Sequence, residues 1–157
     1  MIRHAWTVVC EKTIVDRETN NISLDAVEQL GFAGIPSLPP DAQGLLLPCR
    51  IDVVSLWYRD ELAQAARGKS RMRVLAPNGE AVAGGETDVD LTTFVRARTL
   101  SRLAALPVPV GASRGGRFMF IIELEQSNDW VEVARVPLEV EVVALGDAAP
   151  GPAPSSH

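Results

Sequence analysis

Histidine and cysteine are scarce in this chain of 157 residues. It has two histidines, His4 and His157, and two cysteines, Cys10 and Cys49. A Ser–His–Asp or Cys–His arrangement needs a histidine held beside its nucleophile, whereas both histidines lie near a terminus, where we expect exposed side chains. Neither cysteine has a second ligand at a spacing typical of zinc sites. We therefore expect no catalytic residue, no metal ion and no cofactor.

Aromatic residues and long apolar runs are also few. Aromatics make up 5% of the chain and its net charge is −5, so bases would find few rings to stack on and phosphates would meet no general attraction. Nucleic acid is therefore not an expected partner. No apolar run is long enough to span a bilayer, and residues 1–12 do not resemble a signal peptide. We expect a cytoplasmic protein with no membrane partner and with free thiols at its two cysteines.

The clearest pattern in the chain is an alternation between residues 118 and 142. One apolar set comes before the polar turn at residues 127–129: Phe118, Phe120, Ile122 and Leu124. A second apolar set follows the turn: Trp130, Ala134, Val136, Leu138, Val140 and Val142. Because side chains alternate across a strand, the pattern predicts a β-hairpin with one buried face. Four glutamates fall on the opposite face: Glu123, Glu125, Glu139 and Glu141.

Short alternating segments separated by turn residues occur through the rest of the chain. Further strands are predicted at residues 5–16, 22–30, 45–58, 70–76, 81–83 and 88–100. Residues 60–67 have the composition of a short helix, and residues 101–106 fit either a strand or a helical turn. About eight strands predict an all-β, antiparallel two-sheet sandwich of the immunoglobulin-like Greek-key type. It would occupy residues 1–145, and residues 146–157, rich in proline, alanine, glycine and serine, would form a disordered tail.

Several short motifs occur in an order that resembles a widespread bacterial family of unknown function. Cys10 and Glu11 stand three residues before Ile14, in the family pattern C-[DE]-x-x-[IV], and a polar turn leads to Asn21-Ile22-Ser23-Leu24, in the pattern [KN]-[IV]-S-L. Later motifs fit as well: Pro77-Asn78-Gly79-Glu80, Leu106-Pro107 and Val136-Pro137-Leu138. The resemblance implies a cytosolic β-sandwich and implies no activity.

The predicted strand at residues 45–58 is apolar on both of its faces. Such a strand usually lies in the middle of a sheet or at an interface. It ends in Trp57 and Tyr58, and a third large aromatic residue, Trp130, follows the turn of the last hairpin. Tryptophan and tyrosine are frequent interface anchors. These three are therefore the candidate interface residues, although for the tryptophans we favour the core.

Arginines recur at strand spacing on two predicted strands. They are Arg71, Arg73, Arg96, Arg98 and Arg102. If the two faces coincide, the arginines form a basic stripe that holds a polyanion. The competing interpretation, which we favour, pairs arginines across strands with the glutamates of the last hairpin.

These features support three functional hypotheses. The first is a non-enzymatic module that binds another protein, or a second copy of itself, through a sheet surface or loops. The second is a sandwich that binds a small ligand or a carbohydrate between loops 31–44 and 110–116. The third is a hydrolase or cation site built on carboxylates of the first hairpin. Those carboxylates are Glu11, Asp16, Glu18 and Asp25.

Overall fold

The computed structural model describes residues 1–146, which form nine β-strands and one short 3₁₀ turn. The strands are β1 (Ile2–Val15), β2 (Ile22–Ala26), β3 (Gln29–Ile35), β4 (Gly44–Arg59), β5 (Ala66–Leu75), β6 (Ala81–Leu91), β7 (Arg96–Pro109), β8 (Gly115–Gln126) and β9 (Asp129–Ala144). The 3₁₀ turn covers Val110–Ala112. The tail predicted at 146–157 lies outside the described residues, except for Gly146.

The strands form two sheets that pack face to face. The four-stranded sheet has the order β2-β1-β4-β7, and the five-stranded sheet has the order β3-β9-β8-β5-β6. The sets β1-β4-β7 and β5-β8-β9 correspond to strands A-B-E and C-F-G of immunoglobulin-like sandwiches. The prediction of an all-β two-sheet sandwich is confirmed, with one exception to the antiparallel pattern, because β3 runs parallel to β9.

The parallel pair arises where the chain changes sheets after β2. The amide of Val27 donates to the carbonyl oxygen of Val9, in the four-stranded sheet, at 3.0 Å. The carbonyl oxygen of Glu28 accepts from the amide of Glu139, in the five-stranded sheet, at 3.0 Å. The extended chain therefore passes from one sheet to the other within two residues. For this reason the single strand predicted at 22–30 is two strands.

The β8–β9 hairpin has the predicted register over most of its length. Phe118 lies opposite Leu138, and both side chains are fully buried between the sheets. The turn residues Ser127 and Asn128 have φ values of 53° and 70°. Two consecutive positive φ values are what a two-residue type I′ hairpin turn requires. The inward rows of this hairpin form much of the core.

A β-bulge changes which face the residues near the hairpin turn occupy. The register shifts between Ile122 and Glu123, where Val133 is the extra residue on β9. Beyond the bulge, Trp130 pairs with Glu125. Trp130 therefore lies on the outer face, and not on the inner face that strict alternation predicted.

The helix predicted at residues 60–67 is wrong, since turns occupy residues 60–65 and β5 begins at Ala66. A helix of two turns is marginal without tertiary support. The guanidinium of Arg59 instead donates to the carbonyl oxygens of Gln64 at 3.0 Å and of Leu91 at 2.9 Å. These bonds fix the turn that carries the chain from β4 to β5.

Two other segments are more extended than their composition indicated. Residues 101–106 belong to β7, where Leu106 pairs with Leu47 of β4, so the strand alternative is correct. The strand continues to Pro109 because β7 is an edge strand, where proline is tolerated. The predicted loop 31–44 begins as part of β3, and the crossing loop is limited to residues 36–43.

A polar pair joins β4 to β7 on the outer face of the four-stranded sheet. The side chain of Asp52 has no exposed surface and accepts from Nε of Arg102 at 2.6 Å and from Nη2 at 3.2 Å. These hydrogen bonds lower the pKa of Asp52 and outweigh the opposing effect of burial. The buried carboxylate is thus held in its charged form.

We expect Phe120→Ala to lower the free energy of unfolding by about 3–5 kcal/mol, because the substitution leaves a cavity in the core. The matched control is Phe94→Ala, since Phe120 is 0% exposed and Phe94 is 72% exposed. The control should change stability by less than about 0.5 kcal/mol. Urea-induced unfolding measures both values. Equal losses for the two variants would contradict the assignment of Phe120 to the core.

The pair of Asp52 with Arg102 should make stability depend on pH in the acid range. The pKa of Asp52 is lower in the folded chain than in the unfolded chain, where it is about 3.9. The stabilisation from the pair is therefore complete above the unfolded pKa and is lost as pH falls through the folded pKa. Asp52→Asn should lower stability by about 1–3 kcal/mol at pH 7 and flatten this acid loss. Urea-induced unfolding measured between neutral and acid pH gives the free energy of unfolding of each variant. The control is Asp41→Asn, since Asp41 lies in an exposed loop. An unchanged acid profile in Asp52→Asn would refute the pairing.

Candidate functional site

Ion pairs cover the outer face of the five-stranded sheet. Glu123 accepts from Arg71 at 2.7 Å and from Arg73 at 3.0 and 2.8 Å. The bonds from Arg73, together with those from Arg71, lower the pKa of Glu123 against the effect of burial. The guanidinium of Arg71 also lies 4.5 Å from the ring centroid of Trp130. Two further pairs on this sheet join Arg117 to Glu139 and Arg135 to Glu132. The cross-strand pairing predicted for Glu123 and Glu139 is confirmed.

The outer face of the four-stranded sheet is mainly apolar along β1 and β4, next to the pair of Asp52 and Arg102. Its central strand, β4, points Val54 and Leu56 outward, away from the core. The residues paired with these two continue the apolar face onto β1 and β7. The outward apolar residues on these three strands are Trp6, Val8, Val54, Leu56 and Leu100. None of them belongs to the core cluster found in the described residues.

The end of the β1–β2 hairpin bends over this apolar face. The pairing of β1 with β4 ends at Cys10, and the register between β1 and β2 shifts just beyond it. Arg98 of β7 donates to the carbonyl oxygen of Asn20 at 3.2 Å and to its Oδ1 at 3.3 Å. Because β7 lies two strands away from β1, the hairpin end must cross β4 to make this contact. The space that remains beneath it is a groove of about 610 Å³.

The groove is mainly apolar and carries arginines along one side. Its lining includes Thr13, Val15 and Ile22 from the hairpin, Val54 and Leu56 from β4, Arg96, Arg98 and Leu100 from β7, and Phe94 from the β6–β7 connection. Phe94 is 72% exposed, and Val15 and Leu100 are about half exposed. An exposed apolar patch with a charged rim is typical of a binding site. This groove is the candidate functional site.

The three predicted interface residues lie in three different environments. Trp57 is fully buried, and its indole N–H donates to the hydroxyl of Thr99 at 2.9 Å. The core position favoured for Trp57 is confirmed and its candidacy as an interface residue is wrong, because alternation along β4 turns this side chain inward. Tyr58 points outward beside Arg96 and is partly exposed on the face that carries the groove. Trp130 lies on the outer face of the other sheet, under Arg71.

The predicted basic stripe is wrong as a single feature. Arg71 and Arg73 lie on β5, in the five-stranded sheet, whereas the other three arginines lie on β7, in the four-stranded sheet. The two groups therefore occupy outer faces on opposite sides of the sandwich. Arg102 binds Asp52, while Arg96 and Arg98 line the groove.

His4 is half-buried and is not the exposed terminal residue that the sequence predicted. Its ring packs edge-on against Trp57 at a centroid distance of 5.2 Å. Its Nε2 lies 2.8 Å from the hydroxyl oxygen of Thr7, which lies 2.7 Å from the hydroxyl oxygen of Ser55. Burial lowers the pKa of His4. The ring thus belongs to a local hydroxyl network at the edge of the core.

The carboxylates of the first hairpin act locally. Asp16 accepts from the amides of Glu18 at 2.8 Å and Thr19 at 3.2 Å, and these bonds lower its pKa. Glu11 is exposed. Within residues 1–146, no three histidine, cysteine, aspartate or glutamate side chains are grouped as metal ligands. The same part of the chain contains no helix with the length and apolarity to cross a membrane.

The two loops predicted to hold a ligand meet at one end of the sandwich. Residues 36–40 of the first loop and Val110 and Ser113 of the second line a shared cavity of about 330 Å³. The cavity walls are largely apolar, and Arg114 adds a cationic group. The sequence therefore paired two loops that do lie together.

Most residues of the groove carry no functional signal in the sequence. Val15, Ile22, Phe94 and Leu100 lie in segments that the sequence predicts as ordinary strands. One signal was present, since Ile14 and Val15 are adjacent apolar residues, which leaves one of them outside any buried face.

No protein-family model and no curated protein matches the chain. Among solved structures, the chain is similar to a glycosyl hydrolase family 2 member from Bacteroides cellulosilyticus DSM 14838, with 15% sequence identity and a TM-score of 0.48. The alignment covers 74% of this chain and 17% of that protein. This chain thus corresponds in length to a small part of that protein.

Proposed function

We propose that this chain is a non-catalytic, cytoplasmic interaction module that binds a segment of another protein in the groove over the four-stranded sheet. The observation that carries the proposal is the apolar outer face of that sheet, partly covered by the bent β1–β2 hairpin. The opposite outer face forms ion pairs within the chain and leaves few apolar side chains for a partner.

The exposed apolar side chains of the groove favour a partner. Phe94 and Leu100 gain roughly 25 cal/mol for each Å² of apolar surface that a partner removes from water. Arginine is also enriched among the residues that dominate binding energy. Arg96 stands with Phe94 and Leu100 on one side of the groove.

The shape of the groove favours a segment over a second sheet. Asn20 and Ile22 of the hairpin end stand over the face, held by Arg98. A second copy of this flat face would collide with the hairpin end before reaching Val54 or Leu56. A narrow, extended segment can instead lie along the side of the groove that the hairpin end leaves exposed, at Phe94, Arg96 and Leu100.

Site-specific photo-crosslinking tests the proposal. We expect p-benzoylphenylalanine in place of Phe94 to give a discrete crosslinked partner in the native cell. The same group in place of Leu62 should not, although both positions are 72% exposed. Adding Leu100→Glu should reduce the yield from position 94 by about tenfold, the effect of losing one good apolar contact.

Light scattering on the purified protein decides whether the partner is a different protein or a second copy of this chain. A mass of one chain is expected, and it should stay the same in Phe94→Glu. A dimer that dissociates in Phe94→Glu but persists in Leu62→Glu would assign the groove to a second copy of this chain. Equal crosslinking from positions 94 and 62 would overturn the role of the groove.

A second candidate function is supported by the cavity between the loops. Its volume of about 330 Å³ lies at the lower end of the range for small-molecule sites. Its largely apolar walls suit a small apolar ligand. Native mass spectrometry of protein purified from its own cell should then show a bound small molecule that is absent in Val110→Trp. The same bound molecule in both proteins, or none in either, would exclude this function.

A further inference from the structure

The β7 strand has a long free edge beside the groove. Its residues pair with β4 on one side, and in residues 1–146 no other strand pairs with it. β7 has 14 residues and is the longest of the four edge strands, since β2, β3 and β6 have 5, 7 and 11. The prolines that would block pairing, Pro107 and Pro109, stand at one end only. The rest of the edge has backbone N–H and C=O groups with no strand partner among residues 1–146, while β6 of the facing sheet packs beside β7.

The outward side chains of β7 carry an excess of positive charge. In the register with β4, Arg96, Arg98, Leu100 and Arg102 all face outward. Arg102 is neutralised by Asp52, whereas Arg98 binds the uncharged Asn20. Arg96 forms no ion pair within the described residues and lines the groove. The row therefore offers two cationic groups and one apolar residue to whatever lies beside it.

The same charges disfavour the pairing of two β7 strands from two copies of this chain. An antiparallel pair centred on Ala97 would place Arg96 opposite Arg98. A pair centred on Arg98 would place the two copies of Arg98 opposite each other. Like charges directly opposite each other across strands are destabilising. A strand with carboxylates at alternate positions has the complementary charge.

We propose that the partner segment adds as an extended strand to the free edge of β7, with acidic side chains beside Arg96 and Arg98 and an apolar side chain beside Leu100. This inference rests on the proposed function and names the chemistry of its partner. Backbone hydrogen bonds to β7 supply affinity, and the alternate side chains that reach the groove supply selectivity.

Short probe peptides test the inference directly. The acidic probe is a fluorescein-labelled peptide with the order threonine, leucine, threonine, glutamate, threonine, glutamate, threonine. The same order reversed covers the opposite strand direction, and a basic probe has lysine in place of glutamate. We expect one acidic probe to bind about tenfold or more tightly than its basic counterpart in fluorescence anisotropy.

Charge-reversal variants assign the binding to β7. Arg96→Glu should weaken the acidic probe about tenfold and strengthen the basic probe. The control is Arg67→Glu, which makes the same charge change at an exposed arginine of the five-stranded sheet and should leave both affinities unaltered. Equal effects of the two variants would show only a general response to net charge, and would overturn the assignment.

Methylation of the peptide backbone separates strand addition from docking by side chains alone. In an added strand, alternate amides face β7, so N-methylation at one set of alternate residues should abolish binding and at the other set should not. Binding by both methylated forms would overturn strand addition. So would the absence of binding by every probe at about 1 mM. If position 94 still crosslinked a partner in that case, the proposed function would stand and only this inference would fail.

Discussion

The burial of apolar side chains between the two sheets determines where every other side chain of the sandwich lies. Because side chains alternate along a strand, burying Val53 and Trp57 turns Val54 and Leu56 outward. The corresponding outward position on β8 is Glu123, which finds arginines on a neighbouring strand. The two outer faces therefore differ because their central strands differ at alternate positions. One face satisfies its charges within the chain, and the other leaves an apolar surface.

The bent hairpin partly shields that surface. Val54 points away from the core but is only 1% exposed, which is consistent with its position beneath the hairpin end. The bend follows the register shift after Cys10, because a bulge increases the local twist of a strand. Arg98 then fixes the far end of the hairpin through Asn20, whose left-handed conformation exposes its carbonyl oxygen. Shielding is incomplete, and the groove is the part of the apolar surface that the hairpin does not reach.

Features that depend on residues close together in the chain could be predicted from the sequence. Features that depend on contacts between distant segments could not. The hairpin around Ser127 and Asn128 was predictable, because only one register buries its apolar face. The extra residue Val133 was not, since it fits either face until the partner strand is known. Nor could the sequence tell that Arg71 and Arg96 belong to different sheets, because alternation gives a residue's face but not its neighbours. The groove depends on the bend after Cys10, so its residues had no common signal.

The arginines of β7 bear both on the self-pairing of this chain and on the partner that we propose for it. A long unpaired edge is a hazard, because any exposed strand can pair with it, including a second copy of the same edge. Outward charges of one sign reduce self-pairing without closing the edge, whereas a proline at mid-strand would close it to every partner. The like charges of Arg96 and Arg98 that disfavour self-pairing would, in the proposed binding mode, favour a partner with carboxylates. Low self-pairing and selectivity for an acidic strand would then have the same physical origin, a row of like charge beside an apolar groove.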